Sequence, residues 1–220
     1  MTNKAVFLDR DGVINELVYH QEQEVIDSPF TPGQVKLLPG APEAIKMLRK
    51  AGYLAVLVSN QPGIAKGHMT AEAFEKIREK LKAALSKAGA VPDGEYYCFH
   101  HPEAVIKQYK AKCDCRKPAS GLLLQAARDM DIDLNQSWMI GDNLSDVQAG
   151  KNAGCWTILL AKPKCEVCNL MDERNVRPHA IEANIAAAAK HILGDRASAH
   201  TEISACGNRE CSPAQSIEFI

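Results

Sequence analysis

Four short polar clusters in this chain of 220 residues hold the side chains able to do chemistry. The first is Asp9-Arg10-Asp11-Gly12-Val13-Ile14, directly after the apolar run Ala5-Val6-Phe7-Leu8. Two carboxylates two residues apart at the end of a buried strand can both point into one crevice, and Gly12 lets the backbone turn away tightly. A solvated turn would explain this tripeptide if it stood alone, but further clusters follow. Ser59-Asn60-Gln61-Pro62-Gly63 offers a hydroxyl and two amides, which can hold anionic oxygens without adding charge. Arg116-Lys117-Pro118 supplies two cations, a fork and a point charge, suited to phosphoryl or other anionic oxygens. Gly141-Asp142-Asn143-Leu144-Ser145-Asp146 is a second acidic cluster after a strand-like run, Trp138-Met139-Ile140. Brought together, Asp9, Asp11 and Asp142 repel one another unless a cation joins them, and such oxygen ligands suit Mg²⁺. With Lys117 beside them, the chemistry supported is phosphoryl transfer from an ester to a carboxylate and then to water.

A separate cluster has metal-ligand spacing. Cys98-x-His100 and Cys113-x-Cys115 are separated by twelve residues, and four such ligands suit tetrahedral zinc. With every position taken by protein the site would be structural, stapling loop 99–112 and fixing the two cations that follow Cys115. His101 is an alternative ligand to His100.

The elements that must position these groups alternate. Strands are expected near 4–8, 54–58, 95–98, 138–140 and 155–160, and helices near 40–51, 70–88, 119–130 and 144–153. Thr70 reads as an N-cap, with Phe74, Ile77, Leu81 and Leu85 on one helical face. Such alternation predicts an α/β fold with a Rossmann-like, mostly parallel sheet and helices on both faces, ligands lying outside the carboxyl ends of the strands. Residues 15–39 read as a long polar flap over the site. Residues 179–193 read as a surface helix with Ile181, Ile185, Ala188 and Ile192, giving a domain over 1–193 and a C-terminal tail over 194–220. Lone Cys155 reads as a core residue. Cys165-x-x-Cys168 and Cys206-x₄-Cys211 read as unligated thiols, with a second zinc site as the alternative.

Composition bounds the possible functions. A formal net charge of −1 gives no general attraction for nucleic acid or acidic membranes. Neither a secretory signal nor a bilayer-spanning apolar run is evident, so a cytoplasmic location is expected; a monomer is expected separately. Eight cysteines then point to metal ligands or free thiols over disulfides.

Over residues 4–160 the four clusters, in order, resemble the motifs of the haloacid dehalogenase (HAD) superfamily phosphatases. Within it the chain most resembles the bacterial D-glycero-D-manno-heptose 1,7-bisphosphate phosphatases and the related histidinol-phosphate phosphatases. That narrower match rests on Ser59 to Ala65, Cys98-Phe99-His100-His101-Pro102 and Cys113-Asp114-Cys115-Arg116-Lys117-Pro118. The resemblance implies a Mg²⁺-dependent phosphatase without a large cap, acting on a small phosphate ester. The leading expectation is release of the 7-phosphate of heptose 1,7-bisphosphate, on the route to the heptose of lipopolysaccharide. Histidinol phosphate is the alternative substrate, and a non-catalytic zinc-stabilised binding module the second alternative. The resemblance implies that Asp9 is the nucleophile and that Asp11 is the acid and then the base. Ser59 and Lys117 would orient the phosphoryl group, and Asn60, Gln61, Arg116 and Asn143 would face the substrate. Asp9, the Asp11 carbonyl and Asp142 would bind Mg²⁺, Asp146 would orient metal-bound water, and Cys98, His100, Cys113 and Cys115 would bind zinc.

Overall fold

The computed structural model describes residues 2–162 and 165–194. Cys206, Cys211 and the tail beyond 194 lie outside the described residues, as does the Cys165 side chain. In chain order the elements are β1 (Lys4–Leu8), β2 (Val18–His20), β3 (Val25–Asp27), α1 (Ala41–Lys50), β4 (Tyr53–Asn60), α2 (Ala71–Lys87) and β5 (Gly94–Cys98). There follow α3 (Gly121–Asp129), β6 (Trp138–Gly141), α4 (Leu144–Ala153), β7 (Trp156–Leu160), α5 (Cys165–Glu173), β8 (Ala180–Glu182) and α6 (Ile185–Ile192).

Among the described residues, six strands form one sheet in the order β5-β4-β1-β6-β7-β8, each neighbouring pair parallel. The chain winds outward from β1 through β4 to β5, then returns to β6 on the other side of β1 and continues to β8. The reversal falls between β1 and β6, where a doubly wound sheet opens its ligand crevice. Leu8 pairs with Ile140 there, and the Asp9 N–H continues the ladder to the Ile140 carbonyl at 3.0 Å. Asp9, Asp11 and Asp142 therefore arrive at one crevice because β1 and β6 are neighbours.

β1 explains why its sequence is apolar without alternation. Val6 and Leu8 pack with Ala44, Ile45 and Leu48 of α1 and Ala188 of α6, while Ala5 and Phe7 pack with Leu122, Leu123 and Ala126 of α3. A parallel strand covered on both faces needs apolar residues at every position. Thr70 caps α2 as expected, its hydroxyl accepting from the Ala73 N–H at 3.0 Å. Cys155 is buried in the core.

The flap expected over 15–39 contains an antiparallel hairpin, β2 paired with β3 and Tyr19 opposite Ile26. The helix expected over 179–193 is instead strand β8 followed by α6, and Ile185 and Ala188 are buried under the sheet. Ile181, Ile185, Ala188 and Ile192 satisfy helical spacing, but β8 extends the sheet beside β7, with Leu159 opposite Ile181, and buries Glu182, which meets the His191 Nδ1 at 2.9 Å. Sheet pairing has overridden local periodicity.

Candidate active site

A cavity of about 300 Å³ opens at the carboxyl ends of β1, β4 and β6. Asp9, Asp11, Ser59, Asn60, Arg116, Lys117, Asp142 and Asn143 line it, so eight of the expected groups meet in one place. From the flap, Leu17, Ile26, Asp27 and Ser28 form another wall.

Lys117 is the buried centre of charge. Its Nζ lies 3.0 Å from Asp9 Oδ1 and 2.6 Å from Asp146 Oδ1, and donates to the Val58 carbonyl at 3.0 Å. Burial alone would lower the ammonium's pKa, but Asp146 and Asp9 outweigh it and the lysine stays charged. Asn60 clamps the Lys117 backbone on both sides: its Nδ2 donates to the Lys117 carbonyl and its Oδ1 accepts from the Lys117 N–H, each at 3.0 Å. The end of β4 thus holds the lysine in register. Asp146, expected to orient a metal-bound water, is placed as a counter-ion of Lys117. Its other oxygen accepts from the Asn143 N–H at 3.1 Å and closes the N-terminal box of α4.

Ligand oxygens of Asp9, Asp142 and Asp146 lie within 4.8 Å of one another. Burial first, then the charges of Asp9 and Asp146, pushes the Asp142 carboxyl up to about 7. Carboxylates crowded to this degree resist ionising together, and a hard divalent cation removes the conflict. The donor set therefore fits Mg²⁺. Gly12 makes the approach possible: at φ +78° a Cβ there would lie 2.0 Å from Asp142 Oδ2.

Asp11 is held on the other side. Its Oδ1 accepts from Arg10 Nη2 at 3.0 Å and from Asn15 Nδ2 at 2.8 Å, and its Oδ2 accepts from Gln61 Nε2 at 2.6 Å. Gln61, expected to face substrate, is buried and lies outside the cavity lining, bonded to Asp11 and Ser59. Arg10 and Asn15 were not singled out by sequence reasoning. The sequence signal for Arg10 was its place between two acids at a strand end, and its side chain is fully buried.

The second cluster is assembled as well. Cys98, Cys113 and Cys115 sulfurs lie 3.0, 3.2 and 3.6 Å apart, and His100 Nδ1 lies 3.4 Å from Cys115 and 3.9 Å from Cys98. Tetrahedral zinc with Zn–S of about 2.3 Å sets its sulfurs about 3.8 Å apart, so a small opening of this group accommodates the ion. His100 is chosen over His101, whose Nδ1 accepts from the Glu103 N–H at 3.1 Å. Arg116 leaves this cluster toward the cavity, its Nη1 donating to the His100 carbonyl at 3.4 Å.

A six-stranded parallel sheet with this crevice of acids and a buried lysine defines a HAD-like hydrolase, and the HAD-hydrolase-like family matches residues 114–188. The chain is 45% identical over 158 residues to the D-glycero-beta-D-manno-heptose-1,7-bisphosphate 7-phosphatase of Photorhabdus laumondii, covering 72% of this chain and 80% of that one. It is 42% identical over 163 residues to the enzyme of the same name from Haemophilus ducreyi, covering 74% and 85%. A crystal structure of D,D-heptose 1,7-bisphosphate phosphatase from B. bronchiseptica, complexed with magnesium and phosphate, superposes with a TM-score of 0.71 at 31% identity, covering 87% of this chain and 99% of that one. The chain belongs to the family of D-glycero-beta-D-manno-heptose-1,7-bisphosphate 7-phosphatases. Among the described residues, no helix is long and apolar enough to cross a membrane.

Proposed function

We propose that this chain is a phosphoric monoester hydrolase that removes the 7-phosphate of D-glycero-β-D-manno-heptose 1,7-bisphosphate. Residues 1–193 form its catalytic domain, and the enzyme acts as a cytoplasmic monomer. The observation that carries the reading is the convergence of Asp9, Asp11, Ser59, Lys117 and Asp142 on one cavity. A binding module that had lost catalysis would have no need of the whole set.

In the proposed reaction, Lys117 and Ser59 bind the phosphoryl oxygens, and Lys117 also fixes the Asp9 carboxylate that attacks phosphorus. As the Asp9 oxygen–phosphorus bond forms, the ester bond breaks and Asp11 gives its proton to the leaving oxygen. Water then attacks the aspartyl-phosphate, its proton passes to Asp11, and the bond to Asp9 breaks to release phosphate. Asp9, the Asp11 carbonyl and Asp142 would hold Mg²⁺, which neutralises phosphoryl charge when bound. Arg116 supports the heptose reading, since its fork on the cavity wall suits the second phosphate or the hydroxyls of a bisphosphorylated sugar better than an imidazole. Asn60 and Asn143 border the same space. Zinc in the Cys98–His100–Cys113–Cys115 cluster would fix the loop from which Arg116 emerges.

An Asp9→Asn protein tests the covalent step. Turnover lost, with the melting temperature kept, is expected. Full turnover would overturn the mechanism.

A further inference from the structure

Gln61 is 1% exposed and lies behind the cavity wall. Its Nε2 donates to Asp11 Oδ2 at 2.6 Å and to Ser59 Oγ at 3.1 Å. A carboxamide nitrogen has two hydrogens, so both serve groups of the site. Its Oε1 is buried and meets no donor among the described residues.

The amide's orientation is dictated from outside. Arg10 is a donor with no acceptor, and with Asn15 it makes Asp11 an acceptor at both oxygens. Turning the amide over would set Oε1 against another acceptor. Donor polarity therefore runs from Arg10 to Asp11, is matched by Gln61 Nε2, and passes to Ser59. The Ser59 oxygen already accepts, so its own hydrogen is left to donate, and Ser59 lines the cavity.

We infer that Gln61 is a positioning residue of the reaction, one amide nitrogen holding Asp11 in place to take the proton of attacking water and turning the Ser59 hydroxyl toward a phosphoryl oxygen. The inference rests on the reading of Asp11 as acid and base. In the step it serves, the water oxygen bonds to phosphorus and the Asp9 oxygen–phosphorus bond breaks. That electron pair returns to the Asp9 carboxylate, and the water proton moves to Asp11.

The test is a double-mutant cycle on 4-nitrophenyl phosphate with Mg²⁺, using Gln61→Met, Asp11→Asn and the pair. Gln61→Met keeps the side-chain length and removes both donated hydrogen bonds, while Arg10 and Asn15 still hold Asp11, so the variant is expected to fold with a cooperative thermal transition. Its kcat is expected to fall about tenfold or more with KM within about threefold, and the same change on the Asp11→Asn background to cost less than about threefold. An equal loss on both backgrounds, or wild-type kcat in Gln61→Met, overturns the inference. Full turnover in Asp11→Asn alone overturns instead the role of Asp11. Should Gln61→Met not fold, Gln61→Asn, one methylene shorter, withdraws the donor from Asp11 and is read in the same cycle.

Discussion

Replacing Asp142 by Asn should stabilise the magnesium-free protein while abolishing its activity. In the folded chain burial and the charges of Asp9 and Asp146 push the Asp142 carboxyl up to about 7, against 3.8 for the free side chain. The difference, about 7 − 3.8, is about three pK units, each worth about 1.4 kcal/mol, so the acid opposes folding by about 4 kcal/mol where it is ionised in both states. Asp142 also faces the open cavity, and water there relaxes the penalty to about half, ~2 kcal/mol. The folded protein binds the extra proton, so wild-type stability falls as pH rises from about 4 to about 7 and is flat above. The isosteric amide carries no such penalty. Thermal unfolding without magnesium should therefore show Asp142→Asn melting about 4–8 °C above the wild type near pH 8, with the gain vanishing near pH 4. Saturating Mg²⁺ should reverse the order, since only the wild type gains binding energy, about 2.7 kcal/mol at a hundred times Kd. An Asn variant that melts lower than the wild type near pH 8 without magnesium, or a gap that does not change with pH, would mean that Asp142 carries no such penalty.

Lys117→Met should lower kcat by about a thousandfold and destabilise the fold by about 3 kcal/mol in denaturant titration, because it leaves Asp146 buried without its cation. Gly12→Ala places a methyl carbon 2.0 Å from Asp142 Oδ2 at φ +78°, so Mg²⁺ affinity by calorimetry and turnover should both collapse. Cys115→Ser removes one of the four proposed zinc ligands; metal analysis should show zinc in the wild type and its loss in the variant, and KM should rise more than kcat falls because Arg116 loses its anchored base. Thr70→Ala removes the cap of α2 far from the cavity, so it should cost about 1 kcal/mol and leave kcat/KM unchanged.

What could be read from the sequence follows from how each group is held. Asp9, Asp142 and Lys117 were legible because each stands immediately beside a landmark: a continuous apolar strand, a second such strand, or a tight Cys pair. Gln61 was placed on the substrate side because an amide next to Ser59 looks the same whether it faces the cavity or its rear wall. Only the buried Arg10, which sets the polarity of Asp11, decides that, and Gln61 reaches Asp11 from the end of β4, 50 residues away along the chain. The β2–β3 hairpin escaped notice because its strands are three residues long and are separated by Gln21-Glu22-Gln23-Glu24, which carries no turn signature. Nor could local pattern reveal that Asp27 and Ser28 reach the cavity, since that depends on how the hairpin is placed in three dimensions. β8 was hidden by an accidental helical period, and its place was decided by the open edge of β7.

Phosphorus NMR of D-glycero-β-D-manno-heptose 1,7-bisphosphate incubated with the enzyme and Mg²⁺, with histidinol phosphate as a parallel substrate, reads out which phosphate is removed. Loss of the 7-phosphate resonance, an intact 1-phosphate, and kcat/KM about a hundredfold above that for histidinol phosphate are expected. Loss of the 1-phosphate, or faster hydrolysis of histidinol phosphate, would contradict the proposed function.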